Sequence, residues 1–434
     1  MKPNEQMRNF SLLLIIIITF SSCNQSKKIK NNSLSEHQIT LDSLTMELES
    51  IQKDGQINGF AVAMVNHNGV LYEKGFGLAN VETKEKYTEH TIQHIASVSK
   101  TLIGIALMKA KEMEKLNLDD PIHDYLPFKV INPYYPNKTI TIRQLATHTS
   151  GINDTEQYMN RAWILTKNQD LTNVNTDYPA QRLNPSEFDI PMEKYLKEYL
   201  EIDGAYYQDD NYINFKAGER YNYSNIGATL CALVIEKATG QAFDSFTKKH
   251  ILKPLGMSSS GWSLKDVDIK KHSRLYRNDN TLIPFYTAIT YPDGMLISSS
   301  SDMAKYLTEL IKGYSGEGTL LTKQSYKELF TEQLREQNFE SRNAENPYNG
   351  DYSPAIFIGH SALGYIGHSG GDAGVGTWMY FDKEKKTGRY IVINTDMGND
   401  ERAKELEYYA IWDKMNAYFD KLTKEKRTSN SVLK

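Results

Sequence analysis

The stretch Ile95-Ala96-Ser97-Val98-Ser99-Lys100-Thr101 decides the fold of this chain, and the apolar run 102–108 follows it directly. Together they predict the start of a buried helix, with Ser97 in its first turn. Residues three apart share a helix face, so the Ser97 hydroxyl and the Lys100 amine are expected side by side. A serine becomes a strong nucleophile when a neighbouring base accepts its proton, and a lysine desolvated among apolar residues can be that base.

The S-x-x-K spacing is weak evidence when it stands alone. The same spacing occurs at Ser50/Lys53, Ser245/Lys248 and Ser431/Lys434. The rest of the chain therefore has to distinguish the first of these matches from the others.

Length and composition favour a large folded domain. The chain has 434 residues, of which 40% are hydrophobic and 24% charged, enough for one large domain or a domain with a subdomain. A net charge of −4 gives no indication of a nucleic-acid partner. The sequence contains no cluster of cysteine ligands, and we expect neither a metal nor another cofactor.

The N-terminus has the pattern of a targeting segment. Lys2 and Arg8 precede a short apolar run, 12–20, and Ser21-Ser22-Cys23 follows. The run is short for a membrane span, which favours a signal peptide over 1–22. The segment resembles the lipobox of bacterial lipoproteins, and this resemblance implies that Cys23 is acylated.

An acylated Cys23 would tether the protein to a membrane of the bacterial cell envelope, on the periplasmic side or at the outer membrane. Plain secretion and an uncleaved anchor remain the alternatives. The polar, lysine-rich residues 23–40 are expected to form a flexible tether.

The folded domain is predicted to span 41–422, with a helical subdomain within about 110–290 and a tail over 423–434. Leu41, Leu44, Leu48 and Ile51 have helical spacing. Further predictions are a hairpin of strands 60–65 and 70–72 through Asn68-Gly69, a turn at 75–77, a buried Cys231, a helix over 192–200, a helix starting near Ser301, strands near 365–368, 377–381 and 390–394, and a final helix over 401–422.

Three elements in a fixed order carry the functional prediction: Ser97-Val98-Ser99-Lys100, then Tyr223-Ser224-Asn225, then His368-Ser369-Gly370. A glycine-bearing turn precedes the second element and an apolar helix follows it. From about Ile57 to Asn394 the chain resembles the serine β-lactamase and penicillin-binding-protein superfamily, closest to its class C β-lactamase, DD-peptidase and esterase branch. The resemblance implies an α+β, β-lactamase/transpeptidase-like fold, in which an antiparallel sheet is flanked by helices in three layers beside a helical subdomain.

The resemblance also implies a role for each motif residue. Ser97 would attack an acyl carbon, while Lys100 and Tyr223 share the removal of its proton. Asn225 would hydrogen-bond Lys100 or a substrate amide. The backbone N–H groups of Ser97 and Gly371 would form an oxyanion hole. Substrate-binding positions on the third motif are His368, Ser369 and Gly370.

Three competing motifs are weaker. Residues 367–371 match the G-x-S-x-G elbow of α/β-hydrolases, but strands follow instead of a helix and no later histidine exists. Lys386-Thr387-Gly388 lies in a charged segment between two predicted strands. In the family that the chain resembles, two more strands follow the third motif; two predicted strands follow His368, but only one follows Gly388. His148 is expected in a polar turn beside the core as a structural residue, with a catalytic base as the alternative.

The histidine in the third motif bears on the substrate. A lysine there would give a fixed positive charge for the carboxylate of a penicillin or a D-alanyl peptide, whereas a histidine is only partly charged near neutrality. We therefore expect a serine hydrolase that acts on an amide or ester of a small molecule or peptide. A true β-lactamase or D-alanyl-D-alanine carboxypeptidase is the first alternative. A non-catalytic cell-envelope binding protein is the second.

The irregular residues 153–215 are expected to cover or line the site.

Overall fold

The computed structural model describes residues 35–172, 174, 182–340, 353–361, 363–396 and 404–432. The predicted signal peptide, Cys23 and most of the predicted tether lie outside the described residues. From Glu36 onward the chain forms one compact unit. Within the described part of the chain, no helix is both long enough and apolar enough to cross a membrane.

The helices lie before, between and after the strands of one large sheet. They are α1 (Glu36–Asp54), α2 (Lys100–Glu112), α3 (Ile142–Ala146), α4 (Glu156–Arg161), α5 (Met192–Leu200), α6 (Asn225–Thr239), α7 (Phe243–Thr247), α8 (Ser300–Tyr314), α9 (Lys323–Phe330) and α10 (Ala410–Val432).

The strands are mostly short outside this large sheet. They are β1 (Gly59–Asn66), β2 (Gly69–Asn80), β3 (Glu85–Lys86), β4 (Ile92–His94), β5 (Trp163–Leu165), β6 (Leu275–Arg277), β7 (Leu282–Ile283), β8 (Tyr286–Ala288), β9 (Ile297–Ser299), β10 (Ser353–Pro354), β11 (Gly359–His360), β12 (Tyr365–Asp372), β13 (Val375–Asp382), β14 (Thr387–Ile393) and β15 (Thr395–Asp396).

The large sheet has eight strands in the order β10-β11-β12-β13-β14-β1-β2-β3. Neighbouring strands in this sheet are antiparallel. In this order the N-terminal strands meet the C-terminal strands at the β1–β14 pair. Asn66 of β1 pairs with Gly69 of β2, which confirms the predicted hairpin. The predicted antiparallel sheet and α+β class are therefore confirmed.

Helices cover both faces of the sheet because side chains alternate along each strand. In β1, Phe60 and Val62 belong to a hydrophobic cluster with Leu44 of α1 and Trp412 of α10. Ala61 belongs to a second cluster on the other face, where α8 packs on β1, β2 and β14. The resulting arrangement has three layers, helix on sheet on helix.

Residues 75–77 do not form the predicted turn but lie inside β2. A Cβ on Gly75 would lie 2.4 Å from the Tyr87 carbonyl oxygen, and one on Gly77 would lie 2.2 Å from that of Asn58. Gly77 also has a φ of 71°, a conformation that glycine adopts without strain. These glycines therefore permit close approach of neighbouring backbone.

Helix ends differ from the predicted boundaries. Residues 36–40, assigned to the tether, are the first residues of α1, and α10 continues through most of the predicted tail to Val432. The two terminal helices pack on each other, and extending a packed helix costs little once its first turn has formed.

Candidate active site

Ser97 lies in a single 3-10 turn, Ala96–Ser99, between β4 and the first residue of α2. The prediction placed it in the first turn of the helix, whereas the α-helix begins only at Lys100. Ala96 has a φ of 47°, an uncommon backbone conformation for a residue with a Cβ. Such strain persists where surrounding contacts impose it, and it often marks a functional turn.

Lys100 is buried beneath Ser97. Its Nζ atom donates to Ser97 Oγ at 3.0 Å and to the Asp293 carbonyl oxygen at 2.6 Å. Burial lowers the pKa of Lys100, and the negative charges of Asp293, Asp154 and Asp372 oppose that shift. The lysine can therefore lose its proton more readily than an exposed amine.

Tyr223 approaches the same lysine from the loop before α6. Lys100 Nζ lies 5.2 Å from the centroid of the Tyr223 ring. Burial raises the pKa of Tyr223 well above its usual value, and a hydrogen bond with Ser97 opposes this shift. The phenol is therefore protonated at neutral pH.

His148 supports Tyr223 from behind. The two rings stack with centroids 4.5 Å apart, and His148 Nδ1 accepts a hydrogen bond from the Ser224 backbone N–H at 3.1 Å. Burial and the charge of Lys100 lower the pKa of His148 well below its usual value. The ring is therefore neutral, and it packs against Tyr223 while it accepts a hydrogen bond from the same loop.

Asp154 fixes the start of α6. Its two carboxylate oxygens accept from the backbone N–H groups of Asn225 and Ile226, at 2.7 and 3.0 Å. They also accept from Ser224 Oγ at 3.0 Å and from Asn225 Nδ2 at 2.8 Å. The Asn225 amide thus donates to Asp154, whereas the resemblance implied a hydrogen bond to Lys100 or to a substrate amide. Asp154 has no motif spacing in the sequence that would have identified it.

The third motif lies on β12 in direct contact with the Ser97 turn. A Cβ added to Gly370 would lie 2.7 Å from Ser97 N and 2.9 Å from the Ile95 carbonyl oxygen. Thr377, opposite Gly370 on β13, donates from Oγ1 to the same Ile95 oxygen at 2.8 Å. Nothing lies within 4 Å of a Cβ added to Gly371. Glycine at 370 therefore permits the strand to approach the nucleophile.

His368 is buried near Tyr223, with ring centroids 6.1 Å apart. Its Nδ1 donates to the Ser369 carbonyl oxygen at 2.5 Å. Burial, together with the charge of Lys100, lowers the pKa of His368 to about 4 against that hydrogen bond. The imidazole is therefore neutral at physiological pH, whereas the sequence suggested that it would be partly charged.

The buried carboxyl group of Asp293 lies behind Lys100, and nothing in the sequence predicted it there. Asp293 Oδ2 accepts from Thr229 Oγ1 at 3.0 Å and from the Tyr158 hydroxyl at 3.3 Å. Burial raises the pKa of Asp293, and the charge of Lys100 opposes the shift. In the sequence this aspartate is one residue of a Pro-Asp-Gly turn signal, so nothing there indicated contact with Lys100.

The competing Lys386 lies away from these residues. It occupies the turn between β13 and β14, with Nζ 4.0 Å from the centroid of the Tyr314 ring.

Among the residues that the structure describes, no group of three or more His, Cys, Asp and Glu side chains is placed to hold a metal ion. The site therefore presents a serine, a desolvated lysine and a protonated tyrosine for acid–base and nucleophilic chemistry.

Comparisons with known proteins found a matching family and several similar proteins. A family model described as Beta-lactamase matches residues 46–411. Protein flp from Staphylococcus aureus (strain MW2) is 27% identical over 266 residues, which is 60% of this chain and 47% of that protein. The putative penicillin-binding protein PbpX from Bacillus subtilis (strain 168) is 25% identical over 320 residues, 72% of this chain and 68% of that protein. The match thus spans about half the length of Protein flp.

Solved structures share the fold. The octameric penicillin-binding protein homologue from Pyrococcus abyssi superposes with a TM-score of 0.64 and 25% identity, covering 85% of this chain and 76% of that one. D-alanine carboxypeptidase AmpC from Burkholderia cenocepacia superposes with a TM-score of 0.60 and 16% identity, covering 87% and 99%. The second likeness bears on the fold alone.

Proposed function

The chain belongs to the Beta-lactamase family, and from that premise we propose that it is a serine hydrolase that cleaves an amide or ester bond through an acyl-enzyme on Ser97. The observation that carries this proposal is the 3.0 Å contact between Ser97 Oγ and the buried Lys100 Nζ. A hydroxyl beside a desolvated amine is an activated nucleophile.

Acylation starts with transfer of the Ser97 proton to Lys100. The pKa directions support this order, because burial favours the neutral amine of Lys100 and the protonated phenol of Tyr223. Ser97 Oγ then bonds to the acyl carbon, and the carbonyl oxygen becomes negatively charged. The Ser97 and Gly371 N–H groups stabilise that oxyanion, and Gly370 permits the approach of β12 that this requires.

Collapse of the tetrahedral intermediate expels the leaving group. Tyr223 donates its proton to the leaving atom and is reprotonated from the Lys100 ammonium, so the proton count is unchanged. In the second half, Tyr223 accepts a proton from water as it passes its own proton to neutral Lys100, and the water oxygen attacks the acyl carbon. When this second intermediate collapses, the bond to Ser97 Oγ breaks, the proton returns from Lys100 to Ser97 Oγ, and the acid is released. His148 stacks on Tyr223 and accepts a hydrogen bond from the Ser224 N–H, and Asp154 accepts one from the N–H at the start of α6. These contacts keep Tyr223 in place during acylation and deacylation.

The neutral His368 favours esters or amides that lack a carboxylate beside the leaving group. A true β-lactamase or D-alanyl-D-alanine carboxypeptidase is the second candidate, and the similarity to the putative penicillin-binding protein PbpX favours it. A binding protein without activity is the candidate from another class. It would keep the fold but leave Ser97 unreactive.

The proposal also places the enzyme at the bacterial cell envelope. The basic residues, apolar run and small residues before Cys23 support acylation at that cysteine and membrane attachment. Residues 23–35 would then form the link between the membrane and α1.

The nucleophile can be tested by intact-mass labelling with a fluorophosphonate and with a fluorescent penicillin. Wild type should gain one adduct, which forms on Ser97, and Ser97→Ala should gain none. Ser50→Ala is a matched control, because it removes another S-x-x-K serine, on α1, and should label like wild type. Labelling that persists in Ser97→Ala would show that another residue is the nucleophile, and an unlabelled wild type would favour the binding protein.

Hydrolysis assays then separate the remaining candidates. Turnover of p-nitrophenyl esters or amino-acid amides, with nitrocefin slow, supports the proposed activity. Fast turnover of nitrocefin or of D-alanyl-D-alanine peptides would instead support the second candidate.

A further inference from the structure

We propose that a small cavity beside β4 binds one soft monovalent metal ion, Cu⁺ or Ag⁺, between the imidazoles of His94 and His272. Both residues line the cavity, whose volume is about 20 Å³, enough for one ion or one water molecule. The described residues that line it include none of Ser97, Lys100 and Tyr223. The metal site therefore lies outside the proposed catalytic centre and does not depend on hydrolysis.

His94, the last residue of β4, keeps one ring nitrogen for a ligand. Its Nε2 lies 2.8 Å from the Tyr286 hydroxyl. That hydroxyl also faces two acceptors, the Ala373 carbonyl oxygen at 2.8 Å and the Asp372 carboxylate. A phenol has one proton to donate, which goes to one of these acceptors, so the hydroxyl accepts from the Nε2–H of His94. Nδ1 of His94 is therefore the nitrogen with the lone pair.

His272 has the same arrangement with the two ring positions exchanged. Its Nδ1 lies 2.6 Å from the Ser273 carbonyl oxygen, and because a carbonyl only accepts, Nδ1 carries the proton and Nε2 the lone pair. Burial lowers the pKa of His94 to about 4 and that of His272 to about 3, so both rings are neutral. Neither lone-pair nitrogen has a hydrogen-bond partner among the described residues, and each keeps surface that a water molecule can reach.

The spacing of the two imidazole rings fits one ion held between them. The His94 and His272 ring centroids lie 6.4 Å apart. A metal–imidazole bond is about 2 Å long and a ring nitrogen lies about 1.2 Å from its ring centre, so one ion can join rings whose centres are up to roughly 6.4 Å apart. That upper limit corresponds to two nitrogens on opposite sides of the ion, the linear geometry typical of Cu⁺ and Ag⁺. Tetrahedral Zn²⁺ would require ring centres about 5 Å apart.

The lining of the cavity favours a soft ion of low charge. Met295 and Trp262 also line it; a thioether is a ligand that selects Cu⁺, and an indole ring attracts a cation. None of the described residues that line the cavity carries a carboxylate. The Arg274 guanidinium lies 4.4 Å from the ring centroid of Phe285, another lining residue. A divalent ion would therefore be buried without an anionic ligand and near a positive charge, which is costly.

Isothermal titration calorimetry with silver nitrate in a chloride-free buffer tests the site. Every protein in the comparison is the full chain with Cys23→Ser, so that this thiol does not compete for the ion, while Cys231 is fully buried. This parent protein should bind one Ag⁺ more tightly than any further Ag⁺, and it should bind Zn²⁺ at least tenfold more weakly.

Two substitutions remove the lone pairs but keep the neighbouring hydrogen bonds. His94→Gln keeps an N–H group for the Tyr286 hydroxyl, and His272→Asn keeps one for the Ser273 carbonyl oxygen. Neither replacement has an imidazole nitrogen, so each should weaken the tight Ag⁺ binding at least tenfold. Circular dichroism checks that both variants are folded.

The controls are His90→Gln and His123→Gln, which remove exposed histidines and should bind Ag⁺ like the parent. Ser97→Ala should also bind Ag⁺ like the parent, because the site does not use the nucleophile. If the cavity variants fold poorly, X-ray absorption of the Cu⁺-loaded parent provides a test without them. Its spectrum should show two nitrogen neighbours at about 2 Å from the ion.

A parent protein that binds no Ag⁺ overturns the inference, as does tight binding that His94→Gln and His272→Asn leave unchanged. A Cu⁺ spectrum without nitrogen neighbours overturns it as well. Zn²⁺ bound as tightly as Ag⁺ would show that the site does not select soft monovalent ions. Failure of fluorophosphonate to label Ser97 would overturn the proposed hydrolase function and leave the metal site standing, so the two failures are distinguishable.

Discussion

Lys100 is fully enclosed, and opposing forces set its charge. Removal from water disfavours the ammonium, whereas Asp293, Asp154 and Asp372 favour it. Of these three residues, Asp293 also contacts the lysine directly, because its backbone carbonyl oxygen accepts a hydrogen bond from Lys100 Nζ. The carboxyl and the amine titrate as an interacting pair, so a change in one alters the other.

Asp293→Asn should shift the acidic limb of the pH–rate profile to lower pH. Ser97 requires neutral Lys100, and removing a negative charge that raises the pKa of Lys100 leaves burial to lower it further. We expect a shift of roughly one pH unit, equivalent to about 1.4 kcal/mol of charge interaction. The measurement is the rate constant for fluorophosphonate labelling between pH 5 and pH 9.

The matched control is Thr229→Val, which removes a hydrogen bond to Asp293 without changing the charge. Its limb should move much less than that of Asp293→Asn. An acidic limb that stays in place or moves to higher pH in Asp293→Asn would contradict the assignment of Lys100 as the base.

The 3-10 turn before α2 and the strand β12 form the site only when they are held together. Thr377 of β13 is fully buried and joins them, since its hydroxyl bonds the Ile95 carbonyl at the entry to the turn. Ile95 N–H donates in turn to the Leu296 carbonyl, next to β9. The nucleophile is thus fixed by contacts from two neighbouring elements.

Thr377→Val should reduce activity while the protein remains folded. Valine has a similar shape but leaves the Ile95 carbonyl without this donor, which costs about 1–3 kcal/mol of stability. We expect labelling of Ser97 to slow about tenfold, equivalent to about 1.4 kcal/mol. Thr377→Ser keeps the hydroxyl and should retain most of the rate, so equal losses in both variants would argue against the hydrogen bond.

At the scale of the whole molecule, the sheet separates the site from a second hydrophobic layer. Trp412 of α10 is fully buried in that layer. The Arg389 guanidinium from β14 lies 4.3 Å from the centroid of its ring, and the Trp378 ring lies 5.3 Å away. Ser97 and α2 lie on the side of the other cluster.

Trp412→Ala should therefore lower stability without changing the chemistry. A large buried aromatic replaced by alanine costs about 3–5 kcal/mol, and urea unfolding measures the loss. Below the unfolding transition, the folded fraction should label at the wild-type rate. Trp412→Phe should lose less stability, and a slowed labelling rate in folded Trp412→Ala would show that this layer acts on the site.

The sequence by itself determined the three motifs, the first hairpin and the strands that carry the C-terminal half of the sheet. These follow from local spacing, because hydrophobic period and turn residues act over a few positions. It also indicated His368 over Lys386, since the number of strands after each motif differs. The structure confirms the elements, and the roles of Cys23 and of the motif residues stay predictions.

Tertiary structure alone decided which buried groups surround the nucleophile. Asp154, Asp293 and Thr377 come from segments far apart in the chain, and their contacts depend on how the elements pack. The same holds for Gly75 and Gly77, which resemble a turn locally but permit backbone approach within β2. Spacing in one segment carries no information about a partner a hundred residues away, so the groups that set the charge on Lys100 come together only when the chain is folded.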